Sequence, residues 1–169
     1  GRIGVELAAR STPDGHTLLL GSQGTQTIHA FFHKKLAYDP VADFAPVILS
    51  TRVRYLLLAA PGLPATNLQE LLTLIRSRPE PLLYASTGTG SSGHMAGELF
   101  KKMMKVDMTH VPYKGVASAV VDIVSGQVQL MFGTPIASLP YLSTGRFKAI
   151  AISAPRRSPM FPSVPTFTE

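Results

Sequence analysis

The chain has 169 residues, 45% hydrophobic and 15% charged, with 14 glycines, 14 prolines and no cysteine; this is a folded α/β composition that excludes a disulfide framework and a thiolate metal site. Lys and Arg outnumber Asp and Glu by 16 to 10, but the basic residues stand in small groups (Lys34-Lys35, Arg52 and Arg54, Lys101-Lys102, Arg156-Arg157). That pattern argues against nucleic acid and for a diffuse field favouring small anions, and no apolar run approaches the roughly 18 residues of a membrane span.

Residues 2–10 carry Ile3, Leu7 and Ala8 at helical spacing and predict a short helix, ended by the turn Ser11-Thr12-Pro13-Asp14-Gly15. Thr17–Leu20 reads as a buried strand emptying into Gly21-Ser22-Gln23-Gly24-Thr25. Strands that end in small polar residues are where open α/β sheets place ligand loops. Thr27–Lys35 reads as a short helix. His29 and His33 sit four apart on it, but no acid completes an HExxH arrangement, so no metal site is expected. Val47–Leu49 and Tyr55–Ala60 read as strands, the second stopped by Pro61-Gly62-Leu63-Pro64. Thr66 or Asn67 caps the next helix, with Glu70 completing a capping box and Leu68, Leu71, Leu72 and Ile75 as the apolar face.

Leu82 to Gly115 is the centre of the chain. An apolar run, Leu82–Ala85, ends in Ser86 and a glycine-rich turn; a helical pattern follows through Met104; a second apolar segment, Met108–Val111, ends at Tyr113-Lys114-Gly115. The turn puts small hydroxyls and backbone N–H groups at a helix start, where anions bind well. Gly88-x-Gly90-x-x-Gly93 formally matches a dinucleotide fingerprint. The acid that such a site needs belongs at the far end of the next strand, whereas Asp107 precedes it. No Lys-Ser or Lys-Thr follows the glycines, and Gly-x-Ser-x-Gly is absent. His94 beside Ser91 and Ser92 invites a catalytic reading, but the sequence offers neither an orienting acid nor an oxyanion hole. A role holding the loop by hydrogen bonds is favoured. Met95, Leu99, Phe100 and Met103 predict the core face of this helix.

Ser118–Val124 predicts a helix with Ala119, Val120, Ile123 and Val124 inward, closed by Gly126. Val128–Phe132 reads as a strand, Gly133-Thr134-Pro135 as the opening of a short helix, and Phe147–Ile152 as the last strand. The proline-rich end reads as extended and in need of a surface to lie on. The alternation from Tyr55 to Ile152 predicts right-handed crossovers and a mainly parallel sheet. Ser86, Thr87, Thr89 and Ser91, with neighbouring N–H groups, offer a carboxylate several donors without a buried permanent charge.

YASTGTGSSGHMAGELFKKMM, THVPYKGVASAVVDIVSGQVQLMF, LSTGRFKAIAIS and RRSPMFPSVPTFTE, with STPDGHTLLLGSQGT and KKLAYDPVADFAPV upstream, together resemble the Bug family. These are the TctC-like extracytoplasmic solute receptors of tripartite tricarboxylate transporters. The resemblance implies an α/β, periplasmic binding protein-like fold: two lobes with mainly parallel sheets, joined by two crossing strands, Tyr55–Ala60 and Phe147–Ile152. Family members begin with a strand and a Pro-Pro-Gly-Gly loop and continue past SVPTFTE, so the chain is expected to be a fragment with one lobe incomplete. Residues 1–55 would be part of the first lobe, 56–147 the second lobe, and 148–169 a return segment into the first.

By the same resemblance, Gly21, Ser22 and Thr25 belong to a first-lobe ligand loop. Ser86, Thr87, Gly88, Thr89, Gly90, Ser91 and Ser92 form the second-lobe loop, and Lys114, Gly115 and Thr134 lie at neighbouring strand ends facing the cleft. The family often carries Asp-Asn where this chain has Gly133-Thr134. The implied ligand is a small organic acid (a dicarboxylate, tricarboxylate, acidic amino acid or aromatic acid), delivered to membrane subunits in the periplasm, the export signal lying outside the fragment. No catalysis, cofactor, metal or nucleic acid is implied. The rival readings are an α/β enzyme using the Ser91/His94 loop and a nucleotide-binding domain.

Overall fold

A computed structural model of the protein describes residues 2–32 and 35–169. Contacts within the chain gather into two compact units, Gly1–Thr51 and Arg52–Glu169.

The first unit holds α1 (Arg2–Ala9) and a π-helical turn, Gly24–Ile28, that runs into the short α2 (His29–Phe32). In α1 the buried residue is Val5, while Ile3 and Leu7, whose spacing predicted the helix, are exposed. The strands expected at Thr17–Leu20 and Val47–Leu49 do not form, and Leu18, Leu20, Val47, Ile48 and Leu49 are all exposed. A strand is held by ladder partners and a packed face, and the described residues of this unit supply neither. The helix expected over Thr27–Lys35 starts earlier and is described only to Phe32; His33 and Lys34 lie outside the described residues. The Tyr38 hydroxyl donates to the Thr25 carbonyl at 2.6 Å and tethers the turn from within the unit.

The second unit is an α/β sheet with helical crossovers. It comprises β1 (Leu56–Ala59), α3 (Leu68–Ser77), β2 (Leu82–Ser86), α4 (Ser92–Met104), β3 (Met108–Pro112), α5 (Val116–Val124), β4 (Leu130–Gly133), α6 (Pro135–Ser143) and β5 (Lys148–Ile152). The strand order is β3-β2-β4-β1-β5. β2 is parallel to both β3 and β4, whereas β1 is antiparallel to both β4 and β5. Four strands therefore run one way and β1 alone runs against them. All four residues of β1 and of β4 are buried, as befits strands covered on both faces.

The helices form where the sequence signals lie, with some faces rotated. Asn67 caps α3 by accepting the Glu70 N–H at 2.9 Å, and the Glu70 carboxylate accepts from the Thr66 N–H and hydroxyl at 2.7 and 2.8 Å. Leu71, Leu72 and Ile75 are buried. In α4 the expected core positions Leu99 and Met103 are exposed; the buried stripe is Gly93, Gly97 and Phe100. Gly93 lets this helix lie against the Phe132 carbonyl and Gly97 lets it lie on the Tyr84 ring, and the larger Leu99 and Met103 are left on the outer side. In α5, Ala119, Val120 and Ile123 are buried, but Val124, at the last position, is 42% exposed. The C-terminal stretch does find a surface: the Ile152 N–H donates to the Pro165 carbonyl at 2.9 Å, Phe161, Val164 and Thr166 are buried, and Phe167 packs on Phe100.

Candidate functional site

Parallel pairing brings three strand ends to one edge. Ser86 lies opposite Pro112, and Ala85 opposite Met131, so β2, β3 and β4 finish together. Helices α4, α5 and α6 start within a few residues of those ends, at Ser92, Val116 and Pro135. Three helix N-termini, each with unsatisfied N–H groups and the positive end of a dipole, therefore gather at this edge. After β2 the chain adds β3 on one side, while β4, on the other side of β2, leads on toward β5. The gap between the ends of β2 and β4 is a topological switch point, where open α/β sheets bind ligands.

The loop from Ser86 to Ser92 is locally over-determined. Ser86 is fully buried. Its Oγ accepts the Gly88 N–H at 3.1 Å, lies 3.1 Å from the Gly88 carbonyl and makes a 2.6 Å hydrogen bond with His110 Nε2. Gly88 and Gly90 have φ of +123° and +77°, conformations that favour glycine. The Ser91 N–H donates to the Gly88 carbonyl, and Ser91 Oγ caps α4 by accepting the His94 N–H at 3.3 Å. The Gly90 N–H donates to His94 Nδ1 at 3.1 Å. Gly93 sits where a Cβ would come within 2.8 Å of the Phe132 carbonyl oxygen, so glycine is what lets the helix start this close to β4.

Behind the loop two imidazoles stack. The His94 and His110 rings are 4.0 Å apart at 22°. Tyr84 lies 5.1 Å from His110, and its hydroxyl donates to Glu98 at 2.7 Å; Lys101 pairs with Glu98 at 3.3 Å. Burial pushes His94 below the ordinary histidine value. It does the same to His110, assisted by the neighbouring His94 charge. Burial first, and then the bond to Glu98, pushes Tyr84 up.

The structure sorts the sequence-predicted residues into two places. Ser86, Thr87, Gly88, Thr89, Gly90, Ser91, Ser92, Lys114, Gly115 and Thr134 all lie at the carboxyl edge of the sheet. Thr87, Thr89 and Lys114 are exposed, Ser91, Ser92 and Thr134 half-buried. Gly115 and Thr134 occupy the N-caps of α5 and α6 without a side-chain cap bond. Gly21, Ser22 and Thr25 stand in the first unit, where Ser22 and Thr25 bond each other, hydroxyl to hydroxyl at 3.2 Å. Sequence reasoning missed His110, which reads, like Thr109 beside it, as a polar residue in a short strand. It also missed Asp122, which accepts the Tyr113 hydroxyl at 2.6 Å. The rival chemistries find little support. Ser91 Oγ and His94 Nδ1 both accept backbone N–H groups, and Asp107 is exposed at the amino end of β3, 3.8 Å from Lys101. Among the described residues no three His, Cys, Asp or Glu gather as a metal set.

Residues 1–169 match the family model described as tripartite tricarboxylate transporter family receptor. The chain belongs to this receptor family. It is 33% identical over 169 residues to the "UPF0065 protein in tcbD-tcbE intergenic region" of Pseudomonas sp. (strain P51), covering 100% of this chain and 50% of that protein. Among solved structures it is similar to a Rhodopseudomonas palustris protein with adipate, at 36% identity and TM-score 0.90 over 99% of this chain and 56% of that one. It is also similar to MatC of the same organism with bound malate, at 37% identity and TM-score 0.82 over 98% of this chain and 56% of that one. The fold of the receptor family is thus the fold of this chain, which spans about half the length of the relatives it matches.

Proposed function

We propose that this chain is part of an extracytoplasmic solute receptor that binds a small organic carboxylate, does no chemistry on it, and hands it to the membrane subunits of a tripartite transporter. The observation that carries the reading is the convergence of three helix N-termini and the Ser86–Ser92 loop on one edge of the sheet. A carboxylate has two oxygens, each able to accept more than one donor. The exposed Thr87 and Thr89 hydroxyls, the Thr134 hydroxyl and the uncapped N–H groups of α5 and α6 are such donors, and Lys114 adds positive charge nearby. Ser86, with its hydroxyl turned to Gly88 and His110, shapes the loop from beneath. Ordered water can bridge ligands of different length to the same donors.

Adipate and malate, found with two structural relatives, are both dicarboxylates, which supports that ligand class over acidic amino acids or aromatic acids. Gly21, Ser22 and Thr25 remain ligand-loop residues of the first lobe in this proposal. So does the lobe assignment, with 1–55 and 148–169 in the first lobe and 56–147 in the second. Residence in the periplasm follows from the receptor role, because the solute must be captured outside the inner membrane.

The test is thermal shift and calorimetry, on the natural-length protein, with a panel of di- and tricarboxylates, amino acids and aromatic acids. A true ligand at a hundred times its Kd should stabilise the protein by about 2.7 kcal/mol. If no member of the panel shifts the unfolding transition, the carboxylate-receptor reading is overturned.

A further inference from the structure

We infer that His94 and His110 are a stacked positioning pair that holds the ligand loop in its binding geometry only while His94 Nδ1 is unprotonated. The inference rests on the receptor reading for its binding consequence alone; the loop geometry stands apart from it. The two rings hold the two positive-φ glycines of the loop. His94 Nδ1 accepts the Gly90 N–H directly at 3.1 Å, and His110 Nε2 bonds Ser86 Oγ, which in turn accepts the Gly88 N–H. Neutral His94 is therefore the tautomer with its proton on Nε2. A proton on Nδ1 would set two N–H donors against each other at 3.1 Å, and the Gly90 amide would have to turn away.

The surroundings favour the neutral pair. A charge on either ring would face another imidazole 4.0 Å away. Of the elements packed around them, α4 contributes Glu98 and Lys101, β2 contributes Tyr84, and β4 (Leu130–Gly133) contributes no titratable group. Glu98, which among the described residues favours an imidazolium, is already bonded to the Tyr84 hydroxyl and to Lys101. Both histidines are accordingly held below their ordinary value by burial. The sign follows from that direction. The ordered loop excludes the proton, so its geometry is fully favoured above the ordinary histidine value of about 6.5, and is lost as pH falls from there through the lower value that His94 has in the fold.

Two readouts test this. In the ligand-free natural-length protein, the Gly90 amide is followed by nitrogen-15 NMR while the histidine rings are titrated. Its shift should track the titration of His94, and its protection from hydrogen exchange should fall as that ring gains a proton. Adipate and malate binding is then measured by calorimetry across about pH 5 to 8, the range in which histidine changes charge. Wild type should weaken by about tenfold toward the acid end, the loss expected when a buried N–H loses its acceptor. His94→Asn, whose amide oxygen reaches the place of Nδ1 and does not titrate, should bind about as well as wild type at neutral pH with a flat profile. His94→Ala should bind about tenfold more weakly at neutral pH. A Gly90 amide indifferent to the His94 titration, or wild-type pH dependence in His94→Asn, overturns the inference. If neither acid binds at any pH while Gly90 still follows His94, the carboxylate reading fails and the positioning pair stands. The wild-type titration needs no variant to fold.

Discussion

Gly97→Ala tests the contact that sets α4 against the sheet. A Cβ at Gly97 would lie 2.3, 2.6 and 2.9 Å from three ring carbons of Tyr84, far inside the roughly 3.5–4.0 Å of favourable carbon contact. Tyr84 cannot step aside easily. It is fully buried, its ring lies edge-on to Phe132 at 6.2 Å and 5.1 Å from His110, and its hydroxyl is bonded to Glu98. Overpacking of this kind costs typically about 1–3 kcal/mol, and three simultaneous overlaps put Gly97 at the upper end. Against that, alanine is favoured over glycine in a helix interior by about 1 kcal/mol. The net expectation is a loss of about 2 kcal/mol, or about 5–10 °C in Tm for a unit of this size. Urea unfolding followed by circular dichroism measures it. Gly4→Ala in α1, where an added Cβ meets nothing within 4 Å, is the control and should be neutral or stabilising by up to about 1 kcal/mol. A Gly97→Ala protein as stable as wild type would mean that α4 does not ride on Tyr84, and the account of its glycine stripe would be wrong.

Removing the α4 cap with Ser91→Ala should cost about 1 kcal/mol of stability, read from the urea midpoint at unchanged slope. Gly88→Ala should cost about 1–3 kcal/mol, because φ of +123° is strained for any residue with a Cβ; carboxylate affinity measured by calorimetry should fall with it. Tyr113 is pushed up to about 12, by burial first and then by its bond to Asp122. A raised value stabilises the fold fully below the ordinary tyrosine value of about 10 and ceases to do so as pH rises through about 12. Alkaline titration at the phenolate absorbance should therefore show one fewer late-titrating tyrosine in Tyr113→Phe than in wild type, and the variant's stability should fall less steeply across that window.

The second unit was the more legible part of the chain because its signals are local. Asn67 and Glu70 announce the start of α3, Gly126 the end of α5, and Ser91 with its following N–H groups the start of α4; each is set by bonds within four residues. Helix faces were less legible. Leu99 and Met103 have the spacing of a core stripe, yet α4 buries Gly93 and Gly97, since close backbone approach rather than apolar area decides which side faces in. The direction of β1 was not legible either, because four leucine and alanine side chains buried on both faces look the same in parallel and antiparallel ladders. Thr17–Leu20 and Val47–Leu49 have strand composition, but composition cannot supply a partner. The loop from Ser86 to Ser92 was visible from its glycines and hydroxyls. His110 was not, because its tie to Ser86 spans two strands and exists only through their register.

The reversed strand has a consequence for how the chain reaches this fold. β1 is made early, but Leu56 pairs with Gly133 on one side and Ile152 on the other. Three consecutive leucines, Leu56 to Leu58, therefore have no ladder partner until β4, more than seventy residues on, has been synthesised. β2 and β3, joined by one helix, can pair long before that. Closing the larger loops carries an entropic cost that must be met before the contacts they bring can form. Insertion of β1 between β4 and β5 is thus expected to be a late step, and a nascent chain stalled before Leu130 would present an apolar strand with both edges unpaired, the kind of segment that chaperones and aggregation compete for.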